Sequence, residues 1–187
     1  MRRTVISISV IFTVIASIMS KTNAGFAFGE CPSPQVLTSL DLNRYQGLWY
    51  NIQADYGILF QPPFMGCVTG RYTPISGNTI NVYNHAYPWP WAFMANWTSV
   101  EGKGICYPER GNCRVDFNKE PSVDDPPNYI IIDTDYDNYS VTYLCNSRFW
   151  GLIRQEYLYV LSRTPTMTSS LYDQVYKLID ERLPNYG

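Results

Sequence analysis

Three groupings in this chain have residue types suited to covalent chemistry: Asp124 with Asp125, the alternating Asp133, Asp135 and Asp137, and the thiol of Cys67 with the imidazole of His85. Hydrolysis by two carboxylates requires that they flank a cleft at a defined separation. The first pair sits in a proline-bounded loop, and the alternating series runs into a turn between two strand-like segments. The Cys67–His85 dyad has no orienting third group and no oxyanion hole beside it in the sequence. Metal ligation fares no better, because His85 is the only histidine and no Cys-x-x-Cys pair exists. The residues therefore point to binding: no enzyme, no catalytic residue, no metal and no required cofactor.

The stretch that suggests binding is YPWPWAFMANW at 87–97, which holds Trp89, Trp91, Phe93 and Trp97 and is broken by two prolines. A contiguous apolar patch of this kind is rare on a soluble protein unless something uses it. Three readings compete: aromatics packed on a wall, a lid over a ligand, or a contact with a membrane or partner. Rigid rings suit a lid, because they cover a large apolar area with few rotors to freeze.

The chain that must position these residues has 187 positions, enough for one domain with a sizeable core. Residues 1–24 read as a secretory signal peptide. Arg2 and Arg3 precede an apolar run, and Thr22-Asn23-Ala24 supplies a small-residue cleavage site. That run, about fifteen residues, is shorter than the roughly 20 a membrane span needs. Loss of Arg2, Arg3 and Lys21 takes the formal net charge from −2 to −5, a poor basis for nucleic-acid binding. Secretion also suits the five cysteines, read as two disulfides and one thiol left over. The sequons at Asn96 and Asn138 fit the same compartment.

From 45 to 163, short runs rich in Val, Ile, Tyr and Thr alternate with turn residues, which predicts antiparallel strands. They fall at Gly47–Ala54, 67–73, 79–86, about 96–106, 113–118, Tyr129–Thr134, 139–145 and 156–163. An irregular connection with Phe149 and Trp150 precedes the last. Eight strands joined in sequence by hairpin-length links close most simply as an up-and-down barrel. Leu171, Val175, Leu178 and Ile179 then recur at helical spacing. Thr168, or Ser170 with Asp173, can cap that helix, and Pro184 limits it. Cys106 and Cys113 flank a hairpin turn and can pair across it, while a bridge from Cys67 to either stays open. Alternation puts Ile80, Val82, Asn84 and Ala86 on one face of the third strand and His85 on the other. It also puts Asn51 and Gln53 on the face of Trp49.

Three separated motifs resemble the lipocalin family. They are DLNRYQGLWY at 41–50, with Gly47 and Trp49; DTDY at 133–136, with Thr134, Asp135 and Tyr136; and the last strand ending in Arg163. Within the family the resemblance is to the apolipoprotein D and insect bilin-binding branch. It implies an all-β, eight-stranded calyx over 25–187 with the helix packed outside. It also implies that Arg163 lies over a Trp49 plug at the closed end, a cation–π contact worth about 0.5–2 kcal/mol. A Cys31–Cys145 disulfide follows from the same branch, whereas its second disulfide has no counterpart here. Tyr87 to Met94 then falls on the open rim.

The implied ligand site has Asn84 as polar anchor beside Val82, with Asn51 and Gln53 deeper, and Tyr129, Trp150 and Tyr159 as wall or rim. Trp89, Trp91 and Phe93 lie over the mouth. The resemblance implies a secreted carrier of one small hydrophobic or amphipathic molecule of the bilin, retinoid, steroid or fatty-acid class. The alternative is an interaction protein with a filled core, binding a protein, membrane or receptor through its aromatic rim.

Overall fold

The computed structural model describes residues 25–54, 65–88, 98–184 and 186. Residues 1–24, read above as a signal peptide, and the candidate residues Trp89, Trp91, Phe93 and Asn96 lie outside them. Nine strands form: β1 Gly25–Phe28, β2 Gly47–Ala54, β3 Met65–Ser76, β4 Thr79–Pro88, β5 Thr98–Tyr107, β6 Asn112–Asp116, β7 Tyr129–Thr134, β8 Tyr139–Arg148 and β9 Ile153–Ser162. A single turn of helix, α1 Leu42–Tyr45, precedes β2, and α2 Ser169–Arg182 ends the fold. Each strand from β2 to β9 pairs antiparallel with the next, and β9 returns to pair with β2. The result is a closed eight-stranded barrel, as the run of hairpins predicts.

The ninth strand, β1, was not expected from the sequence. It pairs with the half of β9 that β2 leaves free, matching Gly25 with Glu156 and Phe28 with Ile153. Exposed ladder groups there are thereby covered. The last hairpin is also tighter than expected, because β8 runs on to Arg148 and β9 begins at Ile153. Phe149, Trp150 and Gly151 reverse the chain with φ of 52°, 55° and 86°.

Period-two alternation divides the apolar residues between two cores. One fills the barrel, built on Trp49, Tyr72, Ile80, Val82, Ile131 and Leu161. The other lies between the barrel's outer wall and α2, where Val175 and Ile179 meet Ile132, Val141, Tyr143 and Val160. Full burial of one such aliphatic side chain contributes about 1.5–3 kcal/mol. Thr168 caps α2 by accepting the N–H of Leu171 at 3.4 Å. Cys31 bonds Cys145, and Cys106 bonds Cys113, its direct cross-strand partner. Cys67 is free and exposed.

Candidate ligand cavity

The closed end sets the depth of any cavity, and it is built from local backbone needs. Asp41 accepts the N–H groups of Asn43 and Arg44 to start α1. Gly47 follows with φ +100°, and a side chain there would begin 3.3 Å from the guanidinium of Arg163. Only glycine suits both demands. Trp49 is fully buried and donates to the Tyr45 carbonyl at 2.9 Å. The Arg163 guanidinium lies 3.7 Å from the Trp49 ring centre. It donates to the carbonyls of Tyr136, Leu48, Arg44 and Tyr45 at 2.8, 3.0, 2.7 and 3.3 Å.

The turn at 135–138 completes this plug. Thr134 Oγ1 donates to the Tyr139 carbonyl and accepts the Tyr136 N–H. The Asp135 carboxylate accepts the N–H groups of Asp137, Asn138 and Tyr139 and the side-chain amide of Asn138. Partial burial works against its charge, but these donors outweigh burial and hold its pKa below the usual 3.8.

Above the Trp49 plug runs a chain of hydroxyls. Ser140 Oγ meets Tyr45 Oη at 3.0 Å, Tyr45 Oη meets Tyr129 Oη at 3.0 Å, and Tyr129 Oη meets Tyr72 Oη at 2.8 Å. Burial raises the Tyr45 phenol to about 12 against opposing hydrogen bonds from Ser140 and Tyr129. Burial also drives Tyr72 and Tyr129 upward, reinforced by the neighbouring phenols. All three stay protonated near neutrality.

One step nearer the open end, burial gives way at four inward positions, while Thr142 and Tyr157 on the same inner face stay buried. Trp49 is followed on its face by Asn51, Val82 by Asn84, Ile131 by Tyr129 and Leu161 by Tyr159; the first of each pair is buried and the second partly exposed. Gly102 is buried, and a side chain there would collide with the Asp116 carbonyl at 2.5 Å and the Phe117 ring at 2.6 Å. Asn51 Oδ1 and Thr142 Oγ1 are enclosed yet have no hydrogen-bond partner. The arrangement is a concave surface of apolar and uncharged polar groups, suited to an amphipathic molecule.

The chain matches the lipocalin-like domain over residues 40–183. It belongs to the lipocalin family. It is 31% identical to apolipoprotein D of Mus musculus over 140 residues, covering 75% of this chain and 69% of that protein. It is 26% identical to the outer membrane lipoprotein Blc of Vibrio cholerae over 175 residues, covering 92% and 91%. Insecticyanin of the tobacco hornworm Manduca sexta shares the fold, with a TM-score of 0.67 at 19% identity over 86% of this chain and 82% of that one.

In this lipocalin the inner wall holds five of the candidate ligand residues: Asn84, Val82, Asn51, Tyr129 and Tyr159. Two others are placed elsewhere. A β-bulge between Asn51 and Gln53 breaks the alternation of β2, so Gln53 faces Val160 on the outside and accepts a hydrogen bond from Tyr172 of α2. Trp150 is 98% exposed at the tip of the β8–β9 turn and is no part of the wall. Phe28, Phe149 and Leu152 are exposed beside it. His85 points outward, its ring stacked on Tyr83. Asn138 is exposed, with its amide engaged by Asp135.

Sequence reasoning missed the hydroxyl chain. Tyr72, Ser140 and Thr142 follow from alternation once the inward parity of β3 and β8 is known. Tyr45 had no such signal, because it enters from α1 rather than from a strand. Among the described residues, no group of three or more His, Cys, Asp or Glu is placed to hold a metal ion. No helix among them is long and apolar enough to cross a membrane.

Proposed function

We propose that this lipocalin is a secreted carrier that holds one small hydrophobic or amphipathic molecule, of the bilin, retinoid, steroid or fatty-acid class, in its barrel. Asn51 Oδ1 and Thr142 Oγ1 carry the proposal: both are enclosed, unpartnered and on the inner face just where burial gives way. A buried polar atom left unpaired costs about 1–3 kcal/mol, which a bound ligand with matching groups recovers. Apolar contact adds roughly 25 cal/mol per Å² removed from water. Similarity to apolipoprotein D supports a lipid-like ligand, and two disulfides support an oxidising compartment. The task is binding and release, not catalysis.

A second reading has its own observation. Phe28, Phe149, Trp150 and Leu152 form an exposed apolar rim, which suits contact with a membrane, receptor or partner protein. Mass spectrometry of protein secreted by its native source tests both. An organic extract with a stoichiometric small molecule establishes the carrier and names the cargo. An empty extract, together with no tryptophan quenching by bilins, retinoids, steroids or fatty acids, overturns it in favour of the interaction protein. The intact mass from the same sample reads out removal of residues 1–24 and sugars at Asn96 and Asn138.

A further inference from the structure

We infer that the cavity selects an uncharged ligand that presents a hydroxyl or carbonyl oxygen to its deep end, and discriminates against a carboxylate of the same hydrocarbon shape. This rests on the carrier reading above and narrows it.

The first ground is a count of protons. Ser140, Tyr45, Tyr129 and Tyr72 own four hydroxyl protons, and the three links of their chain use three. With the links running from Ser140 toward Tyr72, the fourth proton is that of Tyr72, and an oxygen entering from the cavity is placed to accept it.

The second ground is the space above Gly70. A side chain at Gly70 would begin 3.2 Å from Asn84 Oδ1 and 3.4 Å from Tyr72 Oη. With glycine there, the phenol of Tyr72 and the carboxamide of Asn84 close together over the Gly70 backbone on the inner face. An alcohol oxygen reaching this pair from the cavity accepts from Tyr72 and exchanges a hydrogen bond with the carboxamide. A ketone oxygen accepts from both.

The third ground is the placement of charge. Above the buried floor, the inward positions Asn51, Gly70, Asn84, Gly102, Thr142 and Tyr159 are all neutral. Arg163 lies beyond Trp49, its N–H groups taken by backbone carbonyls. In the sequence, segments 55–64, between β2 and β3, and 89–97, between β4 and β5, contain no Lys, Arg or His, and their one charged residue is Asp55. The backbone of Arg148 ends β8, roughly 26 Å along the strand from Ser140. A carboxylate reaching Tyr72 would thus be buried with no opposite charge, a cost that hydrogen bonds alone do not offset.

The test is a titration at pH 7.5 with matched pairs, retinol against retinoate and long-chain alcohols against fatty acids of equal length, followed by tryptophan quenching. The neutral member of at least one pair should bind tenfold or more tightly than its acid. Tyr72→Phe should cut that preference about three- to tenfold while leaving a plain hydrocarbon of the same length unaffected. Asn84→Lys, which puts a cation on the wall, should shift the preference toward the acid. Equal or tighter binding of the acids overturns the inference and leaves the carrier reading intact, above all if Arg148→Gln then abolishes it. Failure of every pair overturns the carrier reading as well.

Discussion

Trp49 and Trp150 are the same residue at opposite ends of one barrel, one fully buried and the other 98% exposed. Around Trp49 the indole N–H, the guanidinium above it and the carboxylate of the adjoining turn all have partners. Around Trp150 the chain turns through three successive left-handed residues, two of them aromatic. Such conformations cost a non-glycine residue on the order of 1–2 kcal/mol each. At one end, then, hydrogen bonds close on themselves and burial secures the fold. At the other, large apolar surface and backbone strain coexist because the paired β8 and β9 beneath tolerate them. Tryptophan content is no guide to which end is which; the partners of the backbone are.

The strongest attempt to break this contrast is Trp49→Ala. It should cost about 3–5 kcal/mol in urea unfolding; a loss below 1 kcal/mol would mean that the plug does not secure the barrel. Asp135→Asn comes next, at about 1 kcal/mol, because it weakens an acceptor of three backbone N–H groups. The Asp135 pKa is depressed in the folded protein. Its contribution is therefore complete above the unfolded-state pKa near 3.8 and is lost as pH falls through the folded value. Stability should decline below about pH 4, and Asp135→Asn should flatten that decline. The smallest effect has the opposite sign. Trp150→Gly should leave the protein as stable or about 0.5–1 kcal/mol more stable, since glycine adopts φ +55° without strain. A clear loss in a thermal melt would show that the rim supports the fold.

Much of the closed end was legible in the sequence because short motifs fix it. Gly47, Trp49, Thr134, Asp135, Tyr136 and Arg163 act through turn geometry and direct contacts, and the resemblance of their motifs to the lipocalins implies those roles. The strands were legible through alternation, and so were the two ends of α2. Alternation fails wherever the chain inserts a residue, and Gln53 was misplaced for that reason: one bulge in β2 turned it toward Tyr172. Trp150, read as wall or rim, stands at the rim, and its exposure depends on a left-handed turn with no distinct signal except Gly151. β1 escaped notice because a four-residue strand has too few positions to show a period. The hydroxyl chain joins residues from α1, β3, β7 and β8, so only the closed barrel brings it together.

β9 pairs with three strands: with β8 over its whole length, with β2 through residues 159–162 and with β1 through residues 153–156. Information about register is therefore concentrated in one ten-residue segment. A shift of β9 by one residue would exchange its two faces. Tyr157, Tyr159 and Leu161 would leave the cavity for the helix side, and Glu156 would bring a carboxylate inward. Three ladders would have to be rewritten at once to allow it, so the chemical character of the cavity is guarded by redundancy: the same strand that closes the barrel also certifies which side chains it contains.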